Sequence, residues 1–202
     1  KLLDKAAESD AILKKIKGVR EKAKESDLFI LFFACHGVKE KEKFYLLTHE
    51  ANIFKLSETA LPGEELIKAL SDFPCQVLLI MDACHSAGFG EGRTLAKAGL
   101  RPSTDDATRS LTADDIGVIV FSAAMGHQKA IEMKGHGLLT AGLMEALDAG
   151  PDVPRNKSNQ KIFIHHLKSY VVDYVMEKSN DRQTPFMNLP WSVETFAIRG
   201  KK

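Results

Sequence analysis

Leu28-Phe29-Ile30-Leu31-Phe32-Phe33-Ala34-Cys35-His36-Gly37 is an apolar run that turns polar within a few residues. A second stretch repeats the pattern: Val77-Leu78-Leu79-Ile80-Met81 runs into Asp82-Ala83-Cys84-His85-Ser86. A short, continuously apolar run closed by polar residues and glycine reads as a strand buried on both faces, as in a parallel sheet. The reading predicts strands over 28–35 and 76–82, and a third over 116–122 around Gly117-Val118-Ile119-Val120-Phe121. In open α/β sheets ligands bind at the carboxyl ends of the strands. Here one such end carries His36 and another Cys84, 48 positions apart.

Outward from these runs, the spacing of Ala7, Ala11, Ile12, Ile16 and Val19 predicts an amphipathic helix over 4–24. Phe44-Tyr45-Leu46-Leu47 suggests a strand over 43–48. It would follow a solvated turn at Lys39-Glu40-Lys41-Glu42-Lys43, where the charge alternates in sign. Pro62-Gly63-Glu64-Glu65 opens a helix to about 72, with proline and acids in the first turn. Further helices are expected over 137–147 and 162–178. Residues 87–115 hold Gly88, Gly90, Gly92, Gly99 and Pro102, the composition of a long, weakly structured insert. Strands alternating with helices point to an α/β fold, a mainly parallel central sheet covered on both faces, in one domain over 1–202.

The chain has 202 residues, 44% hydrophobic and 27% charged, with a net charge of +1. That balance gives no general surface for polyanions, and no nucleic-acid motif is visible. No apolar run reaches the 18–20 residues or so that span a membrane, and no signal peptide is recognisable. The three cysteines, Cys35, Cys75 and Cys84, form no disulfide framework, which suits a reducing, cytoplasmic setting. The first residue is Lys1 rather than Met, as in a fragment or processed product.

A thiol becomes an effective nucleophile once deprotonated, and a nearby imidazole both stabilises the thiolate and protonates a leaving amine. Cys84 and His36 are placed for those roles if adjacent strands bring their ends together. The backbone N–H groups of Gly37 and Cys84 are then candidates for an oxyanion hole.

Phe32-Phe33-Ala34-Cys35-His36-Gly37 and Asp82-Ala83-Cys84-His85-Ser86-Ala87 resemble the two signature blocks of caspase-like cysteine peptidases, most closely those of metacaspases and their bacterial relatives. Caspases place the histidine about 50 residues before the cysteine. Phe121-Ser122-Ala123-Ala124, Gly135-His136-Gly137-Leu138-Leu139-Thr140 and Gln183-Thr184-Pro185 resemble further blocks of the family. The resemblance covers about residues 10–198.

It implies a three-layer α/β/α caspase-haemoglobinase-like fold and a protein or peptide substrate. Its dyad would be His36 as general base and acid and Cys84 as nucleophile. Asp82 would lie in the pocket for the residue before the scissile bond, and a carboxylate there favours arginine or lysine. Glu132, Ser122 and Ala34 are further pocket candidates. The 87–115 insert corresponds to an inter-subunit linker. Arg93, Lys97, Arg101 and Arg109 are candidate self-cleavage points for a basic-specific enzyme, and Asp105 and Asp106 for an aspartate-specific one.

Departures from the family pattern are Cys35 for a glycine, Ala34 for a serine and Ala87 for a glycine. The family's first core strand, with a further pocket aspartate, precedes its first helix. This chain begins at about that helix, so an upstream fragment or a sensor or regulatory domain is an expected partner. Asp105-Asp106 and Asp114-Asp115 lack metal-ligand spacing, so neither a metal nor another cofactor is expected and calcium dependence is unsupported.

Three rivals stand beside this reading. One is a zinc site from Cys35-His36 and Cys84-His85, although adjacent residues on an extended strand point to opposite faces. Another is a catalytically inactive scaffold or interaction module. The third is a caspase-like protease that prefers aspartate.

Overall fold

The computed structural model describes residues 1–41, 43–82, 101–102, 117–125, 128–133, 135–148, 152–189, 193 and 195–199, with the backbone alone at 101–102 and 199. After a 3-10 turn at Asp4–Ala6 come α1 (Ser9–Arg20), β1 (Leu28–Phe33), β2 (His36–Glu40) and β3 (Lys43–Leu47). Next are α2 (Leu56–Thr59), β4 (Leu61–Pro62), α3 (Gly63–Ser71), β5 (Gln76–Met81), β6 (Arg101–Pro102) and β7 (Val118–Ser122). Then β8 (Glu132–Met133), β9 (His136–Gly137), α4 (Leu138–Asp148), β10 (Ile162–Phe163), α5 (Ile164–Ser179), β11 (Phe186–Asn188) and β12 (Ala197–Arg199) complete the described elements.

The three apolar runs form the expected sheet. Its order is β1-β5-β7-β11. The pairs β1–β5 and β5–β7 are parallel and β7–β11 is antiparallel. Both faces are covered, because side chains of a strand alternate between them. Leu78, Ile80, Ile119 and Phe121 face α4 and α5. Val77, Leu79, Val118 and Val120 face α1 and α3. Fully burying one such aliphatic side chain contributes about 1.5–3 kcal/mol, so the continuous apolar runs lock into the centre of the molecule.

The boundaries shift in instructive ways. The first helix is shorter than 4–24 because the apolar spacing is sustained only through α1. Strand β1 stops at Phe33, not at 35. Residues 39–40, expected as turn, belong to β2, which pairs antiparallel with β3 from His36↔Leu47 to Glu40↔Lys43. The bend is confined around Lys41, whose φ of 55° is left-handed. Val38 is buried on this hairpin while its charged neighbours are half-buried. A second, antiparallel sheet, β4-β3-β2-β6, stands beside the expected central one. Phe44 and Leu46 of β3 pack into the core on the α1–α3 side, so the hairpin is fastened to the main sheet.

Among the described residues, no helix is long and apolar enough to cross a membrane.

Candidate active site

Phe33 and Met81 are register partners at the ends of adjacent parallel strands. The amide of Asp82 then donates to the carbonyl of Phe33 at 2.8 Å, extending the ladder by one step. On the other side Ala123 N–H donates to Met81 carbonyl at 3.0 Å. The carboxyl ends of β1, β5 and β7 are thus tied side by side. His36 lies three residues past Phe33, and Cys84 lies three past Met81. Cys84 itself, with His85, falls outside the described residues.

His36 is half-buried and opens β2, where the register sets it opposite Leu47. Gly37 is buried opposite Leu46. Ala34 is exposed in the short link between β1 and β2. Cys35 as a residue is half-buried, but its thiol is desolvated, which pushes its pKa up to about 12. A thiol so placed stays protonated at neutral pH and is a poor nucleophile or metal ligand. Among the described residues, no three His, Cys, Asp or Glu side chains gather as a metal-holding group.

Asp82 is 3% exposed. Its carboxylate lies against the start of α4, where the Thr140 hydroxyl donates to Oδ2. A Cβ on Gly137 would overlap both carboxylate oxygens, so glycine is required there by space. An anion at this position also meets the positive end of the helix dipole. Gly137 is in turn the register partner of Glu132 across β8–β9. The two acids proposed from sequence therefore converge on one glycine, Asp82 enclosed and Glu132 exposed. Ser122 ends β7 fully buried, with its hydroxyl donating to the Ala124 carbonyl at 3.2 Å.

The role of Gln183-Thr184-Pro185 was not readable from sequence. The Gln183 side chain is buried and donates to the Ala123 carbonyl at 2.7 Å. Its oxygen accepts from Ile131 N–H, also at 2.7 Å. Gln128 and Thr184 exchange a second pair of bonds, with Thr184 N–H donating to Oε1 of Gln128 at 2.8 Å. Together they pin the segment between β7 and β8, and Leu138 N–H donates to Ile131 carbonyl at 2.9 Å to seat α4. Glutamine in a polar run gave no signal of this; only its amide, donor and acceptor together, suits both backbone partners.

Of the candidate self-cleavage points, Arg93, Lys97 and Arg109 lie outside the described residues, as do Asp105 and Asp106. Arg101 has its backbone paired with Lys39 of β2, so this strand must open locally before a protease can grip it. His165 and His166, adjacent in α5, touch at 4.1 Å between ring centroids. His166 Nδ1 accepts from Phe163 N–H at 3.2 Å, a helix-start cap rather than a reactive group.

The family model of the caspase domain matches residues 3–191. No curated protein matches the chain. Among solved structures, a Geobacter sulfurreducens protein matches with a TM-score of 0.61 and 15% identity, over 93% of this chain and 75% of that one. At that identity the likeness concerns the fold.

Proposed function

The chain belongs to the caspase-domain family of peptidases, and from that premise we propose that it is a cysteine endopeptidase cutting after arginine or lysine. Its peptidase domain spans 1–202. His36 takes the proton of the Cys84 thiol; the thiolate attacks the scissile carbonyl, and the imidazolium gives its proton to the leaving amine. Water then hydrolyses the acyl-enzyme with His36 as base. The amides of Gly37 and Cys84 receive the oxyanion. Asp82 supplies the charge for the basic side chain, with Glu132, Ser122 and Ala34 around the pocket.

The observation that supports this most is the Phe33–Met81 register, which sends His36 and Cys84 off neighbouring strand ends at equal distance along the chain. The enclosed thiol of Cys35 leaves Cys84 the better nucleophile of the two in this region.

Two further features belong to the proposal. The enzyme cuts itself at Arg93, Lys97, Arg101 or Arg109. An upstream apolar segment, or a sensor or regulatory domain carrying one, completes the sheet at β1. Among the described strands β1 is an edge, yet Ile30 and Phe32 are 47% and 45% exposed. An apolar parallel strand at an open edge is a template for another strand. The reaction takes place in the cytoplasm without a cofactor.

The test is hydrolysis of short peptides ending in Arg, Lys or Asp at the cleaved bond. Wild type is expected to cut the first two, and Cys84→Ala and His36→Ala to lose roughly 10^4-fold or more of kcat. Equal rates in the wild type and Cys84→Ala, or cleavage after Asp alone, would overturn the reading.

A further inference from the structure

Ala141, Met144, Glu145 and Asp148 follow the spacing of one helix face on the outer side of α4. That face is one wall of a groove of about 440 Å3. Met133 and His136, register partners across β8–β9, and Tyr174 of α5 complete the lining. Ala141 stands one helical turn beyond Gly137, which packs on Asp82 just past the carboxyl end of β5. The groove therefore lies beside the strand ends where a peptide bond is proposed to be cut. An extended chain gains about 3.3 Å per residue, so a substrate spans that distance within a few residues.

The lining is apolar with a charged rim. Met133 and Met144 are exposed, and their flexible thioethers adapt to varied apolar side chains. The Tyr174 ring is held against the α4 backbone at Gly142, where a Cβ would come within 2.9 Å of it. Glu145 is held too, since the Tyr170 hydroxyl donates to its Oε1 at 2.7 Å. The acids sit where the helix disfavours them. α4 ends at Asp148 with no basic residue in its last turn, so Glu145 and Asp148 lie at the negative end of its dipole. Three positions apart, they also repel each other. A cation in the groove relieves both effects. The Tyr174 ring already draws one: Lys178 Nζ lies 5.7 Å from its centre, paired with Glu177 at 2.9 Å.

We infer that this groove is an accessory binding site for a stretch of the protein substrate that alternates basic and apolar residues, away from the scissile bond. The cation meets Glu145, Asp148 and the Tyr174 ring, and the apolar neighbour lies on Met133 and Met144. The inference rests on the proposed peptidase reading for the identity of the occupant.

Binding is measured first, by fluorescence anisotropy with labelled Leu-Lys-Leu-Lys-Leu and with Leu-Gln-Leu-Gln-Leu as control. The basic peptide should bind wild type about fivefold more tightly, the worth of two exposed ion pairs, and the gap should shrink at high salt. Glu145→Gln combined with Asp148→Asn keeps the side-chain shapes and an acceptor for Tyr170, and should remove most of the gap. Cleavage is measured second, by mass spectrometry at the arginine bond of a short substrate carrying either pentapeptide at its amino or its carboxyl end. At one of the two ends the basic extension should raise kcat/KM about fivefold over the neutral one, mainly through KM. The double variant should lose that gain and cut the unextended substrate at the wild-type rate.

No gap in the wild type, or an unchanged gap in the double variant, overturns the inference and leaves the peptidase reading intact. So does tight binding with no gain in cleavage from either extension. A wild type that cuts no arginine substrate overturns the peptidase reading, and with it the substrate as occupant.

Discussion

The Asp82 amide donates to the Phe33 carbonyl at 2.8 Å, and the Asp82 carboxylate accepts from the Thr140 hydroxyl. One residue thus joins the histidine-bearing strand end, the cysteine-bearing strand end and the first turn of α4. The backbone half of this link follows from parallel pairing. The side-chain half encloses the acid on which basic specificity is proposed to depend. The proposed specificity and the sheet architecture therefore meet at a single position.

Gln183 should be a stability residue. Its side chain satisfies the Ala123 carbonyl and the Ile131 amide, both at 2.7 Å and away from water. Gln183→Ala leaves both unmatched, at a cost of about 2–4 kcal/mol. Denaturant unfolding measures it. A loss below about 1 kcal/mol would show that the clamp is not needed.

Cys35 should make the fold sensitive to alkali. Its folded-state pKa is raised by burial from the ordinary 9.0 to about 12. Between those values the unfolded chain releases the proton and the folded chain keeps it. Stability therefore falls as pH rises from about 9 toward 12. The unfolding midpoint should drop less steeply over this range in Cys35→Ala than in the wild type. Parallel slopes would contradict the buried thiol.

The edge of β1 should be sticky. Phe32→Lys places a charge on an exposed position of an apolar edge strand, a change that natural edges use to block pairing. It should alter stability by no more than about 0.5 kcal/mol and reduce self-association of the chain in light scattering. Association equal to that of the wild type would argue against an open edge at β1.

The three central strands were legible because a strand buried on both faces writes itself as an unbroken apolar run. Asp82 was legible as a strand-end residue for the same reason, whereas His36, read as following the first apolar run, opens β2. Strand β3 was legible too, but its hairpin partner β2 was not, since the charges of Lys39 and Glu40 read as a turn. Strands β10 and β12, of two and three residues, are too short for any periodicity. Thr140 and Gln183 stayed hidden because their meaning lies in partners more than 50 residues away, which only tertiary packing reveals. The family blocks flagged both neighbourhoods without supplying the reason; the geometry supplies it as a clamp on Asp82 and a clamp on Ile131.

The most direct test of the dyad is covalent. The chain is incubated with a peptidyl chloromethyl ketone ending in arginine, and the adduct is located by mass spectrometry. The account predicts one adduct per chain, on Cys84, forming on the order of 10^2-fold more slowly in His36→Ala. An adduct on Cys35 or Cys75, or a His36→Ala variant that reacts at the wild-type rate, would contradict it.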